Sequence, residues 1–260
     1  MARNAYKEGT ILENNHIIDN IYVLKVSGPF EGAPGQFYMI KSWQGTDPLL
    51  ARPISIYDID EEGNIYLLVA NVGRGTDIMM KLKKGDKLYL LGPLGNKFPL
   101  PNKDEKVALV GGSVGIAPLK YLARSIQDIT KNIDYYAGFR DNPYLIEDFE
   151  EYVENTYIST ESGKVGYKGY IIDILESEKY DKIYTCGPFP MMKALLLKAH
   201  NRNKVLVSME SRMACGVGTC RGCSIKTKVG MRRVCKDGPI FGGGVFLIDW
   251  FKSKDSWYCI

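Results

Sequence analysis

The chain has 260 residues, 45% of them hydrophobic and 25% charged, and a formal net charge of +4. Those values describe a globular chain long enough for one large unit or two to three smaller ones, each with its own core. So mild a charge, with no long basic arm, argues against a nucleic-acid partner. The lack of any apolar run of about 18 residues argues against a membrane span, and the opening residues hold no apolar run of leader length, so a cytoplasmic location is expected.

In chain order, the first hundred residues read as short strands: HIIDNIYVLKV, GQFYMIKS, RPISIYDI, NIYLLVANV and DKLYLLGPLG. They are rich in Ile, Val, Tyr and Leu and are separated by Gly, Pro, Asn and Asp, which predicts a small antiparallel barrel over residues 1–100. The one helical interruption is GTDIMMKLKKGD, with Thr76 or Asp77 as its cap and its end before Gly85. In ARPISIYD, Pro53 marks an edge strand or a bulge. Arg52 could pair with a phosphate and Ser55 could hydrogen-bond a planar cofactor; taken alone, the stretch is an edge strand with a surface arginine. GRGT, from Gly73 to Thr76, sets glycines at a helix start, where phosphate is well received.

From Pro101 the pattern changes to alternating strands and helices, which predicts a parallel sheet with helices on both faces over residues 101–207. LVGGSVGIAPL follows a strand and opens a helix, with glycines at 111, 112 and 115. The spacing is G-G-x-x-G, so the ordinary dinucleotide fingerprint is absent. A phosphate-bearing ligand at the end of the strand and a plain tight turn both remain open. PYLIEDFEEYVE and GYIIDILES are predicted helices, and PFPMMKALLLKAHNR is a helix with Pro190 in its first turn. Cys186, in TCGP, reads either as a small core residue or as a neighbour of a bound nicotinamide. His16 and His200, the only histidines, read as structural.

The last segment, residues 208–260, holds the most specific signal. Cys215, Cys220 and Cys223 are spaced C-x4-C-x2-C, and Cys235 follows after eleven residues. This is the plant-type ferredoxin spacing for a 2Fe–2S cluster. Two irons need four thiolates on one small rhomb, and interleaved glycines let the main chain wrap it and donate N–H groups to sulfur. Zinc is the rival, but structural zinc sites usually use separated C-x2-C pairs, and Cys215 has no such mate. Arg212, Arg221, Lys226, Lys228, Arg232, Arg233 and Lys236 surround the cysteines. They form either a solvated face or a dock for an acidic partner. Cys259 reads as an ordinary tail thiol.

Taken together, RPIS, GGSVGIAPL and CGPFPMM resemble the ferredoxin–NADP reductase superfamily. The added ACGVGTCRGC and RVCKDGPIF resemble the electron-transfer subunit of the two-subunit, NAD-linked dihydroorotate dehydrogenases, and GDKLYLLGPLGNKF and STESGKVGYKG agree. The likeness runs to about Phe241. It implies a flavin barrel, an NAD-binding α/β unit and a small iron–sulfur unit, with FAD, a 2Fe–2S cluster and NADH as cofactors. By matching motif, Arg52, Pro53, Ile54 and Ser55 would hold FAD, with Leu68, Val69 and Ala70, and with Gly75 and Thr76 at the pyrophosphate. Gly112, Gly115, Cys186, Gly187 and Pro188 would line the nicotinamide nucleotide site. Cys215, Cys220, Cys223 and Cys235 would ligate the cluster. The resemblance implies an FMN-containing dihydroorotate dehydrogenase catalytic subunit as partner, in a heterotetramer of two plus two; a (β/α)8 barrel for that chemistry needs about 250 residues of its own, which places it on a separate chain. Other NAD(P)H-linked complexes of the ferredoxin:NADP oxidoreductase, sulfhydrogenase or sulfite reductase type share these motifs, and a zinc-binding or nucleotide-sensing module is the non-enzymatic alternative. The tail residues Val245, Phe246, Leu247, Ile248, Trp250 and Phe251 depart from the family pattern and are expected to pack on this chain or on a partner.

Overall fold

The computed structural model describes residues 6–247. The first unit comprises β1 (Lys7–Ile18), β2 (Ile21–Val26), β3 (Phe37–Lys41), β4 (Arg52–Ser55), β5 (Asp58–Ile59), β6 (Ile65–Ala70), helix α1 (Arg74–Met80) and β7 (Lys87–Leu94). Its seven strands run antiparallel in the order β4-β3-β7-β1-β2-β6-β5, and β4 curls back against β6 to give an open barrel. The single strand expected over HIIDNIYVLKV is two. Asp19 takes a φ of 46° and turns the chain, so that Ile18 faces Ile21 across a hairpin. Helix α1 starts earlier than expected, with Gly73 as its cap. Thr76 lies inside the first turn, and its Oγ1 accepts the N–H groups of Val72 at 3.0 Å and Gly73 at 3.1 Å.

The second unit comprises β8 (Val107–Gly112), α2 (Ala117–Ile126), β9 (Ile133–Phe139), β10 (Asn155–Thr160), β11 (Tyr167–Lys168), α3 (Ile171–Ile174), β12 (Lys182–Cys186), α4 (Phe189–Lys198) and β13 (Val205–Ser208). The cysteine-rich segment adds the hairpin β14 (Ser224–Thr227) and β15 (Gly230–Arg233), the short helix α5 (Val234–Asp237) and β16 (Ile240–Gly242). The sheet order is β11-β10-β9-β8-β12-β13-β16, with every pair parallel except β13 with β16. Helices cover both faces, as the alternation within β8 requires. Val107 and Leu109 pack with Leu119, Leu122 and Ile126 of α2, while Ala108 and Val110 pack with Ile172 of α3 and Leu195 of α4.

The barrel strands are apolar on both faces, which explains how the units share a core. In β3, Tyr38 and Ile40 point into the barrel, whereas Phe37 and Met39 point out against Met213, Cys223 and Cys235. In β6, Val69 points in and Leu68 points out toward the second unit. Ionic contacts close the barrel–sheet seam. Asp58 binds both Lys120 and Arg124, Arg124 donates to the Ile59 carbonyl at 2.6 Å, and the Tyr57 hydroxyl donates to Asp148.

The helix expected over PYLIEDFEEYVE is replaced by one 3-10 turn, Glu147–Phe149, with Leu145 at a φ of 54°. Its side chains are drawn apart. Phe149 stacks on Tyr135 at 3.9 Å, Tyr144 packs edge-on against Phe139, and Asp148 receives Tyr57. His16 contacts the Asp19 carbonyl at 2.8 Å and His200 contacts Glu178 at 3.0 Å, both local surface contacts. Of the tail, Val245 and Phe246 join the core of this chain. Ile248, Trp250, Phe251 and Cys259 lie outside the described residues.

Candidate functional site

A cavity of about 550 Å³ lies where the three segments meet, within the range of about 300–1,000 Å³ usual for cofactors. Its walls include Arg52, Pro53, Ile54 and Ser55 of β4, Leu68 and Ala70 of β6, and Thr76 of α1. Because strand side chains alternate, Val69 faces away into the barrel core and can offer only its main chain to the cavity. Gly75 lies beneath Arg52: a Cβ there would stand 2.5 Å from Cζ and Nε of the guanidinium. The guanidinium also sits 5.4 Å from the centre of the Trp43 ring and donates to the Leu50 carbonyl. Burial lowers its pKa, yet an arginine so far above neutral pH stays charged. One fixed cation over the first turn of a helix, whose N–H groups carry partial positive charge, suits a pyrophosphate.

On the opposite wall, Val114 and Ala117 bring in the strand–helix turn after β8. β8 and β12 are neighbours, with Cys186 opposite Gly111, so the two loops leaving their carboxyl ends meet. That position is the usual ligand crevice of an open α/β sheet. A Cβ on Gly112 would stand 2.7 Å from both Met191 Sδ and Pro188 Cδ. One on Gly115 would stand 2.4 Å from the Cys186 carbonyl oxygen and 2.5 Å from Gly187 Cα. The structure thus gathers Gly112, Gly115, Cys186, Gly187 and Pro188 into one place. The immediate task of Gly115 is close main-chain packing.

The Cys186 thiol, fully buried, donates to Oε1 of Glu210 at 3.9 Å. Glu210 is half-buried and lines the cavity. Burial pushes its carboxyl up to about 7, against a smaller opposing effect of the hydrogen bond from Cys186. Burial, and next the Glu210 charge, push the Cys186 thiol well up as well. Glu210 carries no local sequence signal; only the fold brings it to the cavity, along with Ser208, Met209 and Met213.

The four cysteines of the C-x4-C-x2-C stretch and α5 contact one another as Cys215 with Cys220 and Cys223 with Cys235. The Cys220 N–H donates to Cys215 Sγ at 3.4 Å, and Cys223 Sγ lies 3.2 Å from Cys235 Sγ. Further N–H groups point at sulfur: that of Gly222 at Cys220 and that of Cys235 at Cys223, each at 3.4 Å. Burial opposes ionisation of Cys215, but the main-chain N–H groups of Cys220, Val217 and Thr219, together with the Cys220 thiol, outweigh it and hold the group down to about 6. Cys235 is pushed up, first by burial and then by Cys223 and Cys215. Two thiol pairs with N–H donors around them suit a rhomb in which each iron takes two thiolates. Cys223 and Cys235 are buried against the barrel face, whereas Cys220 is exposed. Among the surrounding basic groups, Arg233 is internally committed. It donates to Asp237 at 3.0 and 3.1 Å and to the Gly218 carbonyl at 3.1 Å.

Comparison with known proteins agrees with this geometry. Residues 210–246 match the family described as the iron-sulfur cluster binding domain of dihydroorotate dehydrogenase B. The electron transfer subunit of dihydroorotate dehydrogenase B (NAD(+)) of Clostridium acetobutylicum is 43% identical over 248 residues, covering 95% of this chain and 99% of the relative. The solved structure of an NADH-dependent reduced ferredoxin-NADP oxidoreductase superposes with a TM-score of 0.84 at 29% identity, covering 99% of this chain and 95% of that one. A ferredoxin NADP+ reductase from Neisseria gonorrhoeae with bound FAD and NADP shares the fold alone, with a TM-score of 0.65 at 15% identity over 78% of this chain and 97% of that one. The chain belongs to the family of electron transfer subunits of NAD-linked dihydroorotate dehydrogenase B.

Proposed function

We propose that this chain takes electrons from NADH at the crevice of β8 and β12, passes them through FAD held in the barrel cavity to a 2Fe–2S cluster on Cys215, Cys220, Cys223 and Cys235, and delivers them to an FMN-containing dihydroorotate dehydrogenase subunit. The observation that carries it is that one cavity borders all three segments: Arg52–Ser55 of β4 with Leu68 and Ala70 of β6, the strand-end turn at Val114, and the segment running into the cysteines at Met213. Flavin accepts a hydride as two electrons and can release them singly, which a one-electron cluster requires.

This chain's own residues do the positioning. Arg52, Gly75 and Thr76 would hold the pyrophosphate. Ser55 and the main chain of Leu68–Ala70 would hold the ring system. Gly112, Gly115, Gly187 and Pro188 would let the nicotinamide approach from the other wall, beside Cys186 and Glu210. NADH is favoured over NADPH. Arg140 is followed by six acids up to Glu154, and Lys164 is already neutralised by Asp141 at 2.8 Å; a 2′-phosphate wants unpaired positive charge. The exposed Arg221, Lys226, Lys228 and Lys236 around the cluster suit an acidic partner face. Work in the cytoplasm is part of this reading; among the described residues no helix is long and apolar enough to cross a membrane.

The test is a split of activities. The chain alone should oxidise NADH with an artificial dye and leave dihydroorotate untouched, and turnover of dihydroorotate should appear when the FMN subunit is added. Dihydroorotate turnover by the chain alone would refute the split. The likeness to a ferredoxin-NADP oxidoreductase over 99% of the chain supports one second reading, the same electron path serving a different partner; identifying the co-purifying subunit decides between them.

A further inference from the structure

Transfer from flavin to cluster, on which this inference rests, needs a fixed gap between the cavity and the four thiols. Strand β3 and the turn that follows β7 both touch the cysteine segment. Phe37 of β3 lines the cavity, and Met39, two residues on and on the same face, is 1% exposed and reaches the cysteine segment. There it meets Gly216, the residue after Cys215. Gly216 has a φ of 69°, and a Cβ on it would stand 2.5 Å from Met39 Cγ, 3.0 Å from Met39 Sδ and 3.1 Å from Leu94 Cδ1. The loop therefore sits on β3 and β7 with no room for a side chain.

At the other end of the cysteine set, Asn96 grips the chain that follows Cys235. Its N–H donates to the Gly238 carbonyl at 2.7 Å, and its Oδ1 accepts the Ile240 N–H at 2.9 Å. Its Nδ2 donates to the Ile240 carbonyl at 2.9 Å and the Asp237 carbonyl at 3.4 Å. Between them, Pro239 is seated on Gly95, where a Cβ would stand 2.4 Å from Pro239 Cδ, and Pro239 is itself a wall of the cavity. Both ends of one amide, plus its own main chain, are thus spent on a stretch two to five residues past a cluster cysteine.

We infer that Met39 and Asn96 are positioning residues that set the flavin-to-cluster spacing: Met39 seats the Cys215 end on the barrel, and Asn96 ties down the Cys235 end. Electron transfer across a gap falls steeply with distance, so a small shift at either anchor slows that step. Hydride delivery from NADH arrives by the opposite wall and does not pass through these contacts.

The test uses the complete complex carrying Asn96→Ala, Met39→Ala or the volume-conserving Met39→Leu. Iron and acid-labile sulfide per chain are measured first. A single turnover with NADH then resolves flavin reduction from cluster reduction. Expected are flavin reduction within about twofold of the unaltered complex and cluster reduction slowed about tenfold or more in Asn96→Ala and Met39→Ala, with Met39→Leu close to the unaltered rate. Hydrogen exchange, measured without NADH, should show the Ile240 amide losing protection in Asn96→Ala. Cluster reduction at the unaltered rate in fully loaded Asn96→Ala and Met39→Ala would overturn the inference. If Asn96→Ala loses its iron, Met39→Ala, whose hydrogen bonds at Asp237–Ile240 are intact, decides alone. An unaltered complex that shows no NADH-driven cluster reduction would instead sink the proposed function itself.

Discussion

Arg52 lies directly over Gly75: the guanidinium of the edge strand occupies the space that a side chain on the first turn of α1 would fill. The pair depends on glycine being at 75. In Gly75→Ala the new methyl would stand 2.5 Å from Cζ, and the flexible arginine would swing aside. FAD should then bind about 10- to 100-fold more weakly, the equivalent of one charge-assisted contact of about 1.5–3 kcal/mol. Arg52→Ala should lose a similar amount. Fluorescence titration of the flavin-free chain with FAD measures both, and unchanged affinity in both would remove Arg52 from the site.

Gly115 differs in that its neighbour cannot yield. The atom 2.4 Å from its added Cβ is the Cys186 carbonyl oxygen, part of β12. Gly115→Ala should therefore cost about 1–3 kcal/mol in denaturant unfolding and push the two loops apart. FAD content should hold while reduction of the flavin by NADH slows sharply. Normal NADH kinetics in the variant would place the nicotinamide elsewhere.

Burial holds the Glu210 carboxyl up to about 7, against an ordinary value of about 4.5. The folded chain thus keeps a proton that the unfolded chain releases. Stability is full below the unfolded value and is lost as the pH rises through the folded one. Glu210→Gln removes this dependence. Above about pH 8 the variant should be more stable than the unaltered chain by up to about 3 kcal/mol, and the gain should vanish below about pH 4. Urea unfolding of the flavin-free chain across that range checks it; parallel curves at every pH would contradict the assignment.

The seam between barrel and sheet rests on Asp58, whose side chain is 13% exposed and serves two cations. Asp58→Asn removes the carboxylate that Lys120 and Arg124 share. Removing one partner of such a group costs about 3–5 kcal/mol when fully buried, and about 2–3 kcal/mol is expected at this partly exposed seam. Denaturant unfolding monitored separately through the barrel and sheet should show earlier separation of the two. A cost under about 0.5 kcal/mol would mean that apolar packing alone holds the joint.

Much of the candidate site could be proposed from sequence because its signals are written locally. The spacing of Cys215, Cys220, Cys223 and Cys235, the glycine turn after β8 and the proline in an edge strand each encode their geometry within a few residues. Val69 shows the limit of motif matching: it belongs to the matched segment, but the two-residue period of a strand turns its side chain away from the cavity. The segment from Pro143 to Glu154 has helix-forming composition, yet Tyr135, Phe139 and Tyr57 each claim one of its side chains and undo the helix. Glu210 and Asn96 could not have been found from local pattern. Each gains its role from chain more than twenty residues away, Cys186 for the one and Ile240 for the other.

The most direct measurement is metal and sulfide analysis of the anaerobically purified complex, followed by electron paramagnetic resonance before and after NADH. Iron and labile sulfide are expected in equal amounts, with a reduced-cluster signal that NADH brings up and that Cys220→Ser and Cys235→Ser abolish. Zinc in place of iron, or iron that NADH leaves oxidised while the flavin bleaches, would contradict it.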